Sequence, residues 1–258
     1  MWPTALLLGD SQTQLACEAD GWAQSLAEHF VRRADIVNRG FSGYNTRMIQ
    51  TVLPDIFTPE ALKRAKVVCI FLGSNDASME DTNPEQAVPA EEFGENLLKI
   101  ISYLLSNGVP KEALVIISPP PILPEKWTAA LNLRPGPTLP NCKSNDLTRT
   151  FAKECEEVAK RYNLTFVDLF SYMMNPVNKI NLNTALCDGL HLGKEGHNAL
   201  FSLLTPVFND KLGGSPGGLM LPEWRELNTL LDHTRIGRHT QMPSFESLKK
   251  QNSVRKAY

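Results

Sequence analysis

Much that would point elsewhere is missing from this chain. No apolar run approaches the roughly 20 residues needed to span a bilayer. The charges nearly cancel, 26 Lys and Arg against 28 Asp and Glu, so neither nucleic acid nor an anionic membrane surface is favoured as a partner. The five cysteines, Cys17, Cys69, Cys142, Cys155 and Cys187, form no C-x-x-C. That argues against a thioredoxin-type redox motif or a zinc site and fits a reducing compartment. The opening "MWPTALLLGDSQTQ" has one short apolar run and no basic segment, so no secretory leader is expected and the expected location is cytoplasmic. G-x-S-x-G and G-x-G-x-x-G are both absent, which disfavours the α/β-hydrolase and dinucleotide-binding folds. "GGSPGG" (213–218) lacks the Gly-Lys-Ser/Thr of a phosphate loop and reads as a linker. His191 and His197 in "HLGKEGH" miss the H-E-x-x-H spacing, so no metal is expected, and no cofactor either.

What is present has order. Strand-like apolar runs at Thr4–Gly9, Asp35–Gly40, Lys66–Gly73, Ala113–Ile117 and Thr165–Phe170 alternate with segments of helical periodicity. In "EEFGENLLKIISYLLSNG", for example, Phe93, Leu97, Leu98, Ile101, Leu104 and Leu105 fall on one face. Such alternation predicts right-handed crossovers and an α/β fold: three layers, α/β/α, around a flavodoxin-like five-stranded parallel sheet. The runs are mostly unbroken rather than alternating, as strands covered on both faces should be. This domain is expected over residues 1–212. A linker and a short helix packed on the domain are expected over 213–231, and a polar, flexible tail over 232–258. A docking role for that tail stays open.

In open parallel sheets, sites form beyond the carboxyl ends of the strands. Four such places carry polar clusters: "GDS" after the first strand, "NRGFSGYNT" around the second exit, "GSND" after the third, and "DGLH" before the last helix. Alone, each has a bland explanation, since Gly, Asp, Ser and Asn are the commonest turn and cap residues. Together they suit acyl transfer. Ser11 would be the nucleophile and His191 its base, with Asp188, three residues before, fixing the imidazole. Asp188 could also be a simple loop acid, with a backbone carbonyl orienting His191. The Ser11 and Gly43 amides and the Asn75 side chain could supply an oxyanion hole. The remaining histidines have no partner groups in sequence. His197 is expected to be a surface or packing residue, and Cys187 a small buried filler.

Gly9-Asp10-Ser11, Gly43, Gly73-Ser74-Asn75-Asp76 and Asp188 to His191 reproduce, in order, the four blocks of the SGNH (GDSL-like) hydrolase family, which this chain resembles from about Thr4 to Arg225. "NRGFSGYNT", "DGLHL" and "LPEWRE" look most like its isoamyl acetate-hydrolysing esterase group. The resemblance implies Ser11, Asp188 and His191 as catalytic triad, Gly43 and Asn75 as oxyanion-hole or substrate-binding residues, and residues 1–212 as the catalytic domain. It also implies a serine esterase for small-molecule, short-chain (acetate-type) esters. Alternatives on the same fold are an acetyl-sugar esterase, a thioesterase, a lysophospholipase or, in a different class, a non-catalytic binding protein. No Arg or Lys cluster stands ready to clamp a phosphate or CoA. The Pro-rich segment Ser118–Asn145 is either a wall of the substrate pocket, with Trp127 and Leu123 as its apolar residues, or a surface excursion.

Overall fold

The computed structural model describes residues 2–133 and 135–213, with Trp224, Arg225 and Leu227 beyond them. Its strands are β1 (Thr4–Gly9), β2 (Asp35–Gly40), β3 (Ala65–Phe71), β4 (Leu114–Ile117) and β5 (Thr165–Val167). The helices among the described residues are α1 (Ser11–Gln14), α2 (Trp22–His29), α3 (Thr46–Ile56), α4 (Pro59–Arg64), α5 (Ala90–Ser106), α6 (Pro124–Leu131), α7 (Asn145–Tyr162), α8 (Leu169–Met174), α9 (Leu182–Ala185) and α10 (Lys194–Leu212). The strands form one sheet in the order β2-β1-β3-β4-β5, with every pairing parallel. This is the α/β architecture expected from the sequence.

Side chains alternate across a strand, and β1 uses the alternation to feed two cores. Leu6 and Leu8 join Val68, Ile70, Leu114 and Ile116 against α3, α5 and α7. Ala5 and Leu7 join Val67, Cys69, Val115 and Ile117 against α2, α8 and α10. Each fully buried leucine of β1 stabilises the fold by about 1.5–3 kcal/mol. The polar strand β2, "DIVNRG", lies at the sheet edge and is half exposed along its length. Charged residues are at home there.

Two elements differ from the sequence expectation. The fifth strand ends at Val167, not Phe170, because Asp168 turns the chain: its Oδ1 accepts from the Ser171 N–H at 2.9 Å and caps α8. The Pro-rich excursion is not all loop, since Pro124 opens the two-turn helix α6. The expected linker and helix of 213–231 and the tail of 232–258 lie outside the described residues, apart from Gly213, Trp224, Arg225 and Leu227.

The strand order places the site. From β1 the chain moves outward to β2, then returns past β1 to β3. The direction of winding reverses between β1 and β3, so a crevice opens above their carboxyl ends.

Candidate active site

Ser11 follows the buried end of β1 directly. Asp10 stops the strand and starts α1, its Oδ1 accepting from the Gln12 N–H at 2.9 Å. As the first residue of α1, Ser11 keeps a backbone N–H without an intrahelical partner. His191 arrives from the far part of the sequence, on a turn closed by the bridge between Leu186 and Leu192. Gly189 adopts φ +95° there, and a Cβ on it would lie 2.5 Å from the Trp127 nitrogen, so only glycine fits. Asp188 Oδ1 accepts from the Leu190 and His191 N–H groups at 3.0 and 2.8 Å, while its Oδ2 accepts from His191 Nδ1 at 2.7 Å. His191 Nε2 then stands 3.0 Å from Ser11 Oγ.

Burial pushes the Asp188 carboxyl up, but the hydrogen bonds from the His191 side chain and backbone outweigh it and bring the pKa down to about 2. Asp188 is therefore an anion at neutral pH. An anion beside Nδ1 favours the imidazole tautomer with its proton on Nδ1, in which Nε2 can accept from the Ser11 hydroxyl.

The other two residues singled out in sequence sit beside this pair on neighbouring strand exits. The Gly43 turn is drawn against the end of β1 by Phe41 N–H donating to the Gly9 carbonyl at 2.9 Å and Ser42 N–H to Gln14 Oε1 at 2.8 Å. Gly43 has φ +83°, a left-handed conformation that favours glycine. Asn75 follows β3, and its Nδ2 donates to the Tyr44 carbonyl at 2.9 Å. That uses one amide hydrogen and leaves a second.

Three residues the sequence reading passed over hold this half together. Gln86 Nε2 donates to the Gly43 carbonyl at 2.8 Å and to Asn75 Oδ1 at 3.2 Å, which fixes which way the Asn75 amide faces. Thr46 donates to Asp76 Oδ1 from both its N–H and its hydroxyl. Lys143, 2% exposed, donates from Nζ to the Ser74 carbonyl at 2.6 Å and to Ser78 Oγ at 2.9 Å. None of the three touches Ser11 or His191 by hydrogen bond, and no sequence motif marks them. Burial raises the carboxyl of Asp10 to about 7 and that of Asp76 to about 6, and it lowers the Lys143 ammonium to about 8. Among the described residues no cluster of three or more His, Cys, Asp or Glu side chains could hold a metal ion.

A cleft of about 400 Å³ adjoins Gly43, with Met48, Gln86, Trp127 and Leu139 in its walls. Trp127 thus lies where a pocket wall was expected, its ring edge-on to His191 at 5.6 Å between centroids. Leu123 does not line the cleft. Its N–H is tied to the Gly189 carbonyl at 2.8 Å, and its side chain packs on the second core. Cys187 is exposed rather than a buried filler, because it sits on the outside of the Asp188 turn. His197 is buried, a packing residue of α10.

The model of the GDSL-like lipase/acylhydrolase family matches residues 7–199. The chain belongs to this family. An isoamyl acetate-hydrolyzing esterase 1 homolog of Rattus norvegicus is 37% identical over 231 residues, covering 88% of this chain and 89% of that protein. A GDSL esterase/lipase of Arabidopsis thaliana is 33% identical, covering 81% of this chain and 87% of the plant protein. Among solved structures, the lipase/acylhydrolase from Enterococcus faecalis shares the fold, with a TM-score of 0.61 at 22% identity over 83% of this chain and 98% of the bacterial one. Membership makes this GDSL-like protein one of an esterase family. Among its described residues no helix is long and apolar enough to cross a membrane.

Proposed function

We propose that this family member is a serine esterase acting on short-chain carboxylic esters through an acyl-Ser11 intermediate. The observation that carries the reading is the hydrogen-bonded line from Ser11 Oγ to His191 Nε2 (3.0 Å) and from His191 Nδ1 to Asp188 Oδ2 (2.7 Å). His191 takes the Ser11 proton as the oxygen attacks the ester carbonyl, and Asp188 stabilises the imidazolium that forms. The oxyanion is received by the Ser11 and Gly43 N–H groups and the second Asn75 amide hydrogen. His191 then gives its proton to the leaving alcohol, and next activates water to release the acid. The cleft beside Gly43, where Met48, Trp127, Leu131 and Leu139 stand among polar Asn83, Glu85 and Gln86, has room for a small ester. The relatives named for isoamyl acetate hydrolysis make acetate esters the first substrates to assay.

A fluorophosphonate probe tests the reading by forming a covalent bond to an activated serine. The wild-type protein should label at Ser11 and turn over p-nitrophenyl acetate. Ser11→Ala should not label and should lose about 10⁵-fold or more in kcat. Retained turnover by a folded Ser11→Ala variant would put the chemistry elsewhere.

A further inference from the structure

Directly after the nucleophile stands a buried glutamine whose side chain spans the chain's longest catalytic distance. Gln12, 2% exposed, donates from Nε2 to the Leu190 carbonyl at 2.8 Å and accepts on Oε1 from the Leu192 N–H at 3.1 Å. The Leu190 carbonyl belongs to the peptide before His191, and the Leu192 N–H to the peptide after it. One side-chain amide therefore grips both peptide planes that flank the His191 Cα. Peptide planes are rigid, so holding the two fixes the φ and ψ of the residue between them.

The other two backbone groups at this position are also taken. His191 N–H donates to Asp188 Oδ1 at 2.8 Å, and the His191 carbonyl accepts from the Cys187 N–H at 2.9 Å. Those bonds lie inside the turn and give it a shape, but they say nothing about where the turn sits relative to Ser11. Among the described residues, the hydrogen bonds that join the turn at 187–192 to the β1 exit are the two of Gln12 and the Ser11–His191 contact itself. Gln12 is anchored in turn, since its carbonyl accepts from Trp22 Nε1 at 3.0 Å, with Trp22 buried in the second core.

We infer that Gln12 is a positioning residue for the reaction proposed above: its amide clamps the backbone of His191 and so sets the reach of Nε2 to Ser11 Oγ. The inference rests on that triad reading. Without the clamp the turn keeps its internal bonds but can shift against β1, and a misplacement of about 1 Å between reacting groups can cost about 100-fold in rate. The oxyanion half of the cleft, held by Gln86 and Lys143, is untouched by the change. The loss should therefore fall on turnover rather than on substrate binding.

The test is Gln12→Met, which keeps the length and removes both hydrogen-bonding atoms. Active sites are first counted by fluorophosphonate labelling to the endpoint, and p-nitrophenyl acetate kinetics are then expressed per labelled site. The expected result is a kcat per site lower by about 10- to 100-fold with KM within about twofold of wild type. Gln12→Glu, which keeps an acceptor for Leu192 and loses the amide donor to Leu190, should lose less. A kcat per site within twofold of wild type for Gln12→Met overturns the inference. So does a loss accounted for by fewer folded molecules in calorimetry, or the failure of both variants to yield folded protein, since either assigns Gln12 to stability alone. The triad reading is judged separately by Ser11→Ala: if that variant stays active the triad fails, whereas an inactive Ser11→Ala beside a fully active Gln12→Met removes only the clamp.

Discussion

One side of the cleft braces itself from within three residues, as Asp188 caps the turn that carries His191 and binds its ring. The opposite side has local bonds too, Tyr44 N–H to the Phe41 carbonyl at 3.1 Å and Ser78 Oγ to the Asn75 carbonyl at 2.7 Å, but long-range ones orient it. Gly43 and Asn75 are held by groups from distant parts of the chain: Gln86 lies 43 and 11 positions away, and Lys143 grips the carbonyl of Ser74 from 69 positions away. The two sides also differ in solvent contact. The Asp188 and His191 side chains keep 28% and 15% exposure, while Asp76 is fully buried and Lys143 nearly so. A proton-transfer pair needs contact with water and alcohol, whereas an oxyanion hole works by fixed dipoles that do not reorganise during the reaction. On the proposed reading, local bracing serves the first need, and a deep network serves the second.

The comparison can be broken most forcefully at Asp188. Asp188→Asn keeps an oxygen for the turn's N–H groups but removes the charge that sets the His191 tautomer, and kcat for p-nitrophenyl acetate should fall about 10³–10⁴-fold. A loss of tenfold or less would show that the turn does not depend on its own acid. On the opposite side, Asn75→Ala removes one proposed oxyanion donor, for an expected loss of about 10²–10³-fold in kcat with little change in KM. Gln86→Leu sharpens the contrast, because it acts only through Asn75 and the Gly43 peptide. We expect a loss of about 10-fold, and a double variant Asn75→Ala/Gln86→Leu well short of the product of the two. Fully multiplicative losses would show Gln86 acting independently of Asn75.

The smallest expected effect is on stability. Asp10 and Asp76 have native pKa values raised to about 7 and about 6, so between about pH 4 and pH 7 the folded protein binds more protons than the unfolded chain. Their contribution is present below about pH 4 and is lost as pH rises through those values. Asp188, lowered to about 2, has the opposite sign, but its window closes below about pH 4. Lys143, lowered to about 8, adds stability only as pH rises above that value. His197, which burial holds below the ordinary histidine value, has the opposite sign within this range and reduces the effect. Tm should thus fall by a few degrees between pH 5 and pH 7.5, and Asp10→Asn should flatten the slope. A calorimetric Tm that rises across this range would contradict the burial of these carboxyls in a dry network.

The same division explains what could be read from the sequence. Strand runs such as "TALLLG" and the four polar blocks are local patterns, and a parallel sheet gathers local patterns at its strand ends, so Ser11, Gly43, Asn75, Asp188 and His191 could be singled out as candidates. Gln12, Gln86 and Lys143 were not. Each works by a bond to backbone atoms, and a carbonyl or N–H group has no signature in sequence. Leu123 was misplaced for a similar reason: its direction is set by a backbone bond to Gly189, which depends on the tertiary turn of that glycine. The end of β5 failed on a cap, with Asp168 read as part of a strand when it begins a helix.

The Ser11–His191 contact joins residues 180 positions apart. Four of the five strands, β2 to β5, lie between them in the chain, and domains generally fold as units once their sequence is available. On the proposed reading, the Ser11 hydroxyl stays an ordinary, unreactive alcohol until the whole sheet stands between the two. Ester hydrolysis would then begin only when both ends of the sheet architecture have closed on one another.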